Sequence, residues 1–390
     1  MPLINRFADL HAEITEWRRD FHAHPELLFD VQRTAGIVAE KLREFGCDEV
    51  VEGIGRTGVV GVIRGKSDTQ GRTIGLRADM DALPIYEATG VPHASTTEGK
   101  MHACGHDGHT AMLLGAAKYL AETRNFDGTA VVIFQPAEEG GGGGREMVED
   151  GMMDRFKVQE VYGMHNFPGR ALGEFAIRPG PLLAAADLFS IEVTGLGGHA
   201  ARPQVCIDTT LAASQIVVAL QQIASRNADP LDSVVVSITS FQTESDAFNV
   251  IPETVHLKGT VRTLTPEMRD LAERRMGEII EATARAHGAS AVLDYQRNYP
   301  TTVNSATETA FAAGVAKSVV GDGKVEDDTP PVMGGEDFSF MLNARPGAFI
   351  FMGNGDTAGL HHPKYDFNDE AIPFGCSYWA TLVETAMPSA

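Results

Sequence analysis

The sequence is poor in cysteine, in positive charge and in long apolar runs. Four cysteines in 390 residues are too few for a disulfide scaffold. Lysine and arginine number 32 against 53 aspartates and glutamates, a net charge of −21. A chain this acidic is repelled by phosphate backbones and anionic lipid, which excludes nucleic acid and membrane surfaces as partners. No run of about 18 uninterrupted apolar residues occurs, so no membrane span is expected. The start, Met1-Pro2-Leu3-Ile4-Asn5-Arg6, lacks the apolar stretch of a secretory leader. The expectation is a cytoplasmic protein with free thiols. What is present is ordinary for a globular chain: 43% hydrophobic and 22% charged residues, without internal repeats. At roughly 100–200 residues per domain, two or three domains are expected. Glycine is high, at 41, for a local reason given below.

Phe7, Leu10, Ile14, Trp17 and Phe21 recur at steps of three and four, which predicts a helix ending near Pro25. A second helix is predicted over 32–45, stopped by Gly46. Residues 59–63 and 73–77 read as strands and 109–123 as a helix rich in alanine and leucine. Residues 129–134 (T-A-V-V-I-F) are nearly all apolar, as a strand covered on both faces would be. This alternation predicts an α/β sheet with helices on both sides. The middle third differs. Strands are predicted at 187–194, 233–241, 254–264 and 291–295, and a helix at 209–225. A further helix opens on Thr265-Pro266, an N-cap followed by proline, and carries Met268, Leu271, Met276, Ile279 and Ile280. The order β-α-β-β-α-β is the ferredoxin-like pattern. A separate domain is therefore placed at 183–298. The flanks, 1–182 and 299–390, form one discontinuous domain, with Pro179-Gly180-Pro181 and Tyr299-Pro300 at the junctions.

Candidate chemistry starts at His102-Ala103-Cys104-Gly105-His106-Asp107-Gly108-His109, where four donors and an acid lie within eight residues before a helix. Thiolate and imidazole two apart on a loop can reach one metal ion or two adjacent ones. The bland alternative is a free cysteine among surface histidines. Gln135-Pro136-Ala137-Glu138-Glu139 follows the apolar strand, where ligand sites of open α/β sheets lie. One carboxylate can coordinate metal while its neighbour acts as general base. Gly140–Gly144 follow at once and account for part of the glycine excess. They lack the G-K-[ST] ending of a phosphate loop, and Arg145-Glu146 stands there instead. His165 and His361 follow strand-like runs; each alone is as readily an exposed histidine as a ligand. Cys104, His106, Glu139, His165 and His361 together make a candidate set on loops. Asp79 and Asp81, after another strand, are candidates for orienting a ligating imidazole; an aspartate-rich turn is the plain alternative.

These segments resemble the amidohydrolase branch of the aminoacylase and carboxypeptidase metallopeptidases, the group of hippurate hydrolases, N-acyl-amino-acid deacetylases and plant auxin-conjugate hydrolases. The resemblance runs from Arg18–Leu27 (R-R-D-F-H-A-H-P-E-L) through Arg77–Pro84, Met101–His109 and Gln135–Gly140. It continues through Gly197–Pro203, Phe248–Glu253 and Gly334–Phe338 to Leu360–Pro363. It implies an α/β catalytic domain with a central mixed sheet and an inserted ferredoxin-like α+β lid that commonly dimerises, giving a homodimer or homotetramer. It implies two divalent metals per subunit, zinc first, with manganese, cobalt or nickel as alternatives. The implied ligands are Cys104, His106, Glu139, His165 and His361, and the implied general base is Glu138. His199, on the lid, matches a histidine that stabilises the oxyanion in relatives, often in the partner's site. Asn249 and Arg262 match lid positions for the substrate carboxylate. Gln204 departs from the branch, which usually has histidine there, and this bears on lid-side contacts.

Five ligands for two metals require a bridge. Neutral imidazole does not bridge, so Cys104 or Glu139 must, and Cys104 is favoured. The implied reaction is hydrolysis of an N-acetyl or N-benzoyl amino acid to a carboxylic acid and a free amino acid. A dipeptidase or carboxypeptidase with the same site is the alternative; peptidase relatives generally carry aspartate as the bridge. A binding protein that has lost catalysis is the remaining reading, against which stands the complete acid–base set. Cys47, Cys206 and Cys376 carry no assigned role.

Overall fold

The computed structural model describes residues 3–389 and divides into two compact units. Among the described residues the larger comprises 3–182, 303–330 and 337–389, and the smaller 183–302 and 331–336. The smaller unit runs past the expected boundary at 298 because its last strand continues, Ser290–Tyr299 rather than 291–295.

In the larger unit an eight-stranded mixed sheet has the order Glu49–Ile54, Gly58–Arg64, Thr129–Gln135, Thr73–Asp79, Glu160–Phe167, Gly347–Gly353, Phe175–Ala176, Val325–Glu326. The four strands at its centre run parallel: Thr73–Asp79 pairs with Thr129–Gln135 and with Glu160–Phe167, which pairs with Gly347–Gly353. Parallel strands are covered on both faces and read as continuous apolar runs. Thr73–Asp79 and Gly347–Gly353 are accordingly buried throughout. The Glu49–Ile54 strand was not expected, because half of its residues are exposed and it carries acids at both faces. The His106–Thr123 helix packs between the sheet and the helices Asn5–Ala23 and Ile372–Ala386. It is buried on nearly every side, which is why its sequence is alanine and leucine rather than amphipathic.

The smaller unit holds a four-stranded antiparallel sheet in the order Val234–Thr243, Thr254–Thr263, Ala185–Thr194, Ser290–Tyr299. The helices Thr209–Leu220 and Pro266–Ala286 cover one face. Phe189, Ile191, Val193, Ile216, Leu257, Met276 and Ile280 form its core. Along Ala185–Thr194 buried and more exposed residues alternate, as one covered face requires. The Asp208 carboxylate accepts from Leu211 N at 3.0 Å and Thr265 Oγ1 accepts from Met268 N at 3.3 Å, capping the two helices. The first helix stops at Leu220, short of the expected 225, and gives way to a π turn at Ile223–Asn227.

Candidate metal centre

The parallel strands carry the candidate ligands to one side of the sheet. Asp79 lies opposite Gln135, and Phe167 opposite Gly353, so the carboxyl ends of four strands open on a common edge, where α/β sheets place ligands. Two placements differ from the sequence expectation. His165 is inside the Glu160–Phe167 strand, and His106 is the first residue of a helix; neither is a loop residue. The loop from Gly353 returns so that His361 N donates to Ala103 O at 2.7 Å, beside the Cys104 turn.

Close backbone approach builds that turn. Gly105, between the two donors, has φ +92°, and a Cβ there would sit 2.2 Å from Asn166 Nδ2. Only glycine tolerates both. The glycine run has the same origin: a Cβ on Gly143 would lie 1.7 Å from Pro136 O. Gly140 and Gly142 have positive φ. The run folds tightly back over the segment carrying Glu138 and Glu139, and Gly144 N ends on Asp337 Oδ2 at 2.7 Å.

The donor atoms converge into two groups that share one residue. Those of Cys104, His106 and His165 lie within 4.8 Å of one another, as do those of Cys104, Glu139 and His361. Glu138 joins His106 and Glu139 in a third such group. Cys104 Sγ is 3.4 Å from His165 Nε2. His165 Nδ1 donates to Asn166 O at 2.6 Å, and His106 Nδ1 donates to Asp81 O at 2.8 Å. A carbonyl only accepts, so each ring carries its proton on Nδ1 and presents Nε2 as a ligand.

Electrostatics test whether a cation fits. His106 Nε2 and Glu139 Oε1 are buried without a hydrogen-bond partner, a costly state for groups out of water. Glu139 Oε1 lies 3.4 Å from His361 Nε2 and 4.0 Å from His106 Nε2. Burial, with Glu139, Glu138 and Asp79 nearby, drives the Cys104 thiol well above its ordinary pKa. Burial opposes a charge on His106, yet Asp79, Asp81 and Glu139 outweigh it and push its pKa up to about 10. Burial likewise opposes a charge on Glu139, but contact with His361 and the field of His106 hold its carboxyl below the usual range. The site thus attracts positive charge, and a divalent cation would reverse the penalty on the thiolate. Orphaned donors and a thiolate–imidazole–carboxylate set fit a metal pair.

Asp79 and Asp81 sit behind this shell. Asp81 grips the acid segment: its carboxylate accepts from Glu138 N at 2.9 Å and Glu139 N at 3.1 Å. Asp79 Oδ2 lies 3.6 Å from His106 Nε2 and accepts from Arg77 Nη1 at 2.7 Å. Its Oδ1 accepts from His109 Nδ1 at 2.7 Å. His109 Nε2 then accepts from Asn166 N at 3.0 Å, and Tyr365 OH donates to Asn166 Oδ1 at 2.7 Å. His109, Asn166 and Tyr365 received no role from the sequence. Their signal is adjacency to His106 and His165, which alone does not separate a ligand from its support.

In the smaller unit, His199 pairs with Val250 across a short antiparallel ladder. Ala200 N donates to Asn249 O at 2.9 Å, so His199 and Asn249 share one hairpin. Ala201 N donates to His199 Nδ1 at 3.1 Å, which leaves Nε2 as the donor of the neutral ring. Arg262 lies on another strand, opposite Ala186. Its guanidinium bonds Thr260 Oγ1 and Val261 O, and among the described residues no carboxylate lies within ion-pair reach. Burial lowers its pKa.

Residues 75–385 match peptidase family M20/M25/M40. The chain belongs to that family. It is 44% identical to a hippurate hydrolase of Campylobacter jejuni, over 98% of each chain. It is 39% identical to an N-acetylcysteine deacetylase of Bacillus subtilis, over 95% of this chain and 96% of the relative. Among solved structures, the Bacillus subtilis YXEP protein, described as a dinuclear metal binding peptidase of the M20 family, superposes with a TM-score of 0.83. It shares 34% identity, over 98% of this chain and all of that one. The chain has a large mixed sheet and a smaller separate one.

Proposed function

We propose that the protein is a metal-dependent amidohydrolase that cleaves N-acetyl- or N-benzoyl-type amino acids to a carboxylic acid and a free amino acid. One observation carries the reading: Cys104 belongs to two donor groups at once, with Glu138 beside them. Both named relatives act, by their names, on acylated amino acids. In this reading Cys104, His106 and His165 hold one divalent cation, and Cys104, Glu139 and His361 the second. Thiolate and imidazole favour zinc over harder ions, with manganese, cobalt and nickel as alternatives. Bound there, the cations supply a water of lowered pKa and a Lewis acid for the acyl oxygen.

The chain's own groups do the rest. Glu138 takes a proton from the attacking water and delivers it to the leaving amine nitrogen. Asp81 holds Glu138 and Glu139 by their amides and fixes the His106 tautomer through its carbonyl. His199 donates from Nε2 to the developing oxyanion. Arg262, which feels the field of Asp187 but has no carboxylate at ion-pair distance among the described residues, takes the substrate carboxylate with Asn249. That local positive charge is needed because an anionic substrate approaches a chain of net charge −21. Homodimer or homotetramer formation through the smaller unit fits its exposed Leu211 and Val218. A fully active monomer in sedimentation would contradict it. A cytoplasmic setting fits four free thiols; no helix among the described residues is long and apolar enough to cross a membrane.

The test is a panel of N-acetyl- and N-benzoyl-amino acids and dipeptides, assayed with zinc, manganese and cobalt, for wild type and Glu138→Ala. Turnover of acyl amino acids that the substitution abolishes is expected. Equal rates would remove Glu138 as the base. Preference for dipeptides would favour a peptidase instead, the description borne by the YXEP structure.

A further inference from the structure

Six non-glycine residues among those described have positive φ: Leu28, Arg56, Arg124, Ala137, Lys157 and His361. Two of them belong to the acid segment and the ligand set. Leu28 is hydrogen-bonded to the first of these, since its carbonyl accepts from Ala137 N at 3.1 Å, one residue before Glu138. Ala82 N donates to Glu26 O at 2.8 Å, and Leu27 bridges Ala82. The 26–28 backbone therefore lies across both acid-bearing segments, touching each one residue from Asp81 or Glu138.

Leu28 is doubly unfavourable where it stands. Asp30 N donates to Leu27 O at 2.9 Å, which makes Leu28 (φ +51°) the second residue of a turn. Positive φ at that position favours glycine, asparagine or aspartate, and an L-leucine there crowds its own Cβ against the following carbonyl. Its side chain is also 41% exposed. Its neighbour is held: Thr57 Oγ1 donates to Phe29 O at 2.9 Å, and the Arg56 guanidinium stacks 4.1 Å from the Phe29 ring. Of this anchored turn, only Leu28 presents an exposed large apolar side chain. Neither packing nor backbone geometry accounts for leucine, whereas an apolar contact beside the reacting groups does.

We propose that Leu28 is a specificity-determining residue of the larger unit, whose isobutyl group contacts the substrate's acyl portion and favours bulky apolar acyl groups over acetyl. The proposal rests on the amidohydrolase reading. One missing apolar group in such a contact changes selectivity by about tenfold or more. Leu28→Ala keeps the backbone strain and removes the contact; Leu28→Gly removes both. Lys157→Gly relaxes a positive φ elsewhere (φ +54°) and serves as control.

The experiment measures kcat and KM for an N-acetyl to N-benzoyl series with one amino acid, together with Tm. In both Leu28 variants, kcat/KM for the benzoyl substrate is expected to fall about tenfold, chiefly through KM, with acetyl unchanged within about twofold. Leu28→Gly melts at or above the wild-type temperature, and Lys157→Gly leaves the series untouched. A parallel change across the series, no change, or a gain on bulky acyl groups overturns the proposal. Wild type that hydrolyses no acyl amino acid would instead overturn the amidohydrolase reading, which separates the two failures.

Discussion

The two units solve the same problem, burying a sheet, in opposite ways. In the larger unit the central strands Thr73–Asp79 and Gly347–Gly353 are covered on both faces. In the smaller, Ala185–Thr194 buries every other residue. Polar groups at the strand ends of the larger unit are consequently out of water and must be paired. Asp79 is fully buried between Arg77 and His109, and the Asp81 carboxylate accepts from two backbone amides. The smaller unit keeps His199, on a two-residue ladder, and the adjoining Asn249 exposed. Burial supplies fixed geometry and shifted proton affinities; exposure supplies accessible donors with ordinary freedom. In the proposed reaction, metal ligation would draw on the first and the groups of the smaller unit on the second.

The comparison can be broken at several points. The largest effect is expected at Glu138: Glu138→Ala lowers kcat by roughly 10²–10⁴-fold, with metal content by elemental analysis and Tm unchanged. A large fall in Tm would make Glu138 structural. Next, Asp79→Ala removes the buried carboxylate that accepts from both Arg77 and His109; although Arg77 keeps Asp337 at 3.1 Å, breaking this buried pair is expected to cost about 3–5 kcal/mol. In the smaller unit Asp187 is also buried and accepts from Arg269 Nε at 2.9 Å, Tyr295 OH at 2.8 Å and Asn298 N at 3.1 Å. Arg269 is partly exposed, so water compensates it, and Asp187→Ala is expected to cost about 1.5–3 kcal/mol. Equal losses in urea unfolding would erase the distinction between the units.

A pH dependence sharpens it further. His22 donates to Asp107 Oδ2 at 2.8 Å and lies 3.3 Å from Glu87 Oε1. Burial opposes its charge, but these carboxylates outweigh that and raise its pKa to about 9. A raised histidine stabilises the folded state fully below its unfolded pKa, near 6.5, and that stability fades as pH rises through about 9. The contribution is on the order of 3 kcal/mol, seen as unfolding free energy falling between pH 6.5 and 9 and flattened by His22→Gln. The smallest effect is expected at Arg262. Arg262→Ala should raise KM roughly 10–100-fold through lost charge-assisted bonds, with little change in Tm; a kcat loss at constant KM would remove it from substrate binding.

Much of the site was legible because its donors come in short motifs. Cys104, His106, Glu138 and Glu139 were nameable from two segments, and the apolar 129–134 run announced a doubly covered strand. His165 was misplaced onto a loop, because a polar residue at the end of a buried strand resembles the start of a turn. His109, Asn166 and Tyr365 were missed for a different reason. Their roles are relations between residues 57 and 199 positions apart in sequence, and spacing cannot show these. Leu28 was equally silent, since nothing in a leucine reveals a positive φ.

By itself the sequence determined the class of each unit, through hydrophobic periodicity, and the inventory of donors, through residue type. Tertiary structure alone showed that Cys104 lies within reach of both donor groups, which ring nitrogen of His106 and His165 is free, and that Asp81 holds the Glu138 and Glu139 amides. Those are matters of a few ångströms between strand ends, set by parallel pairing and by glycines that let backbones meet.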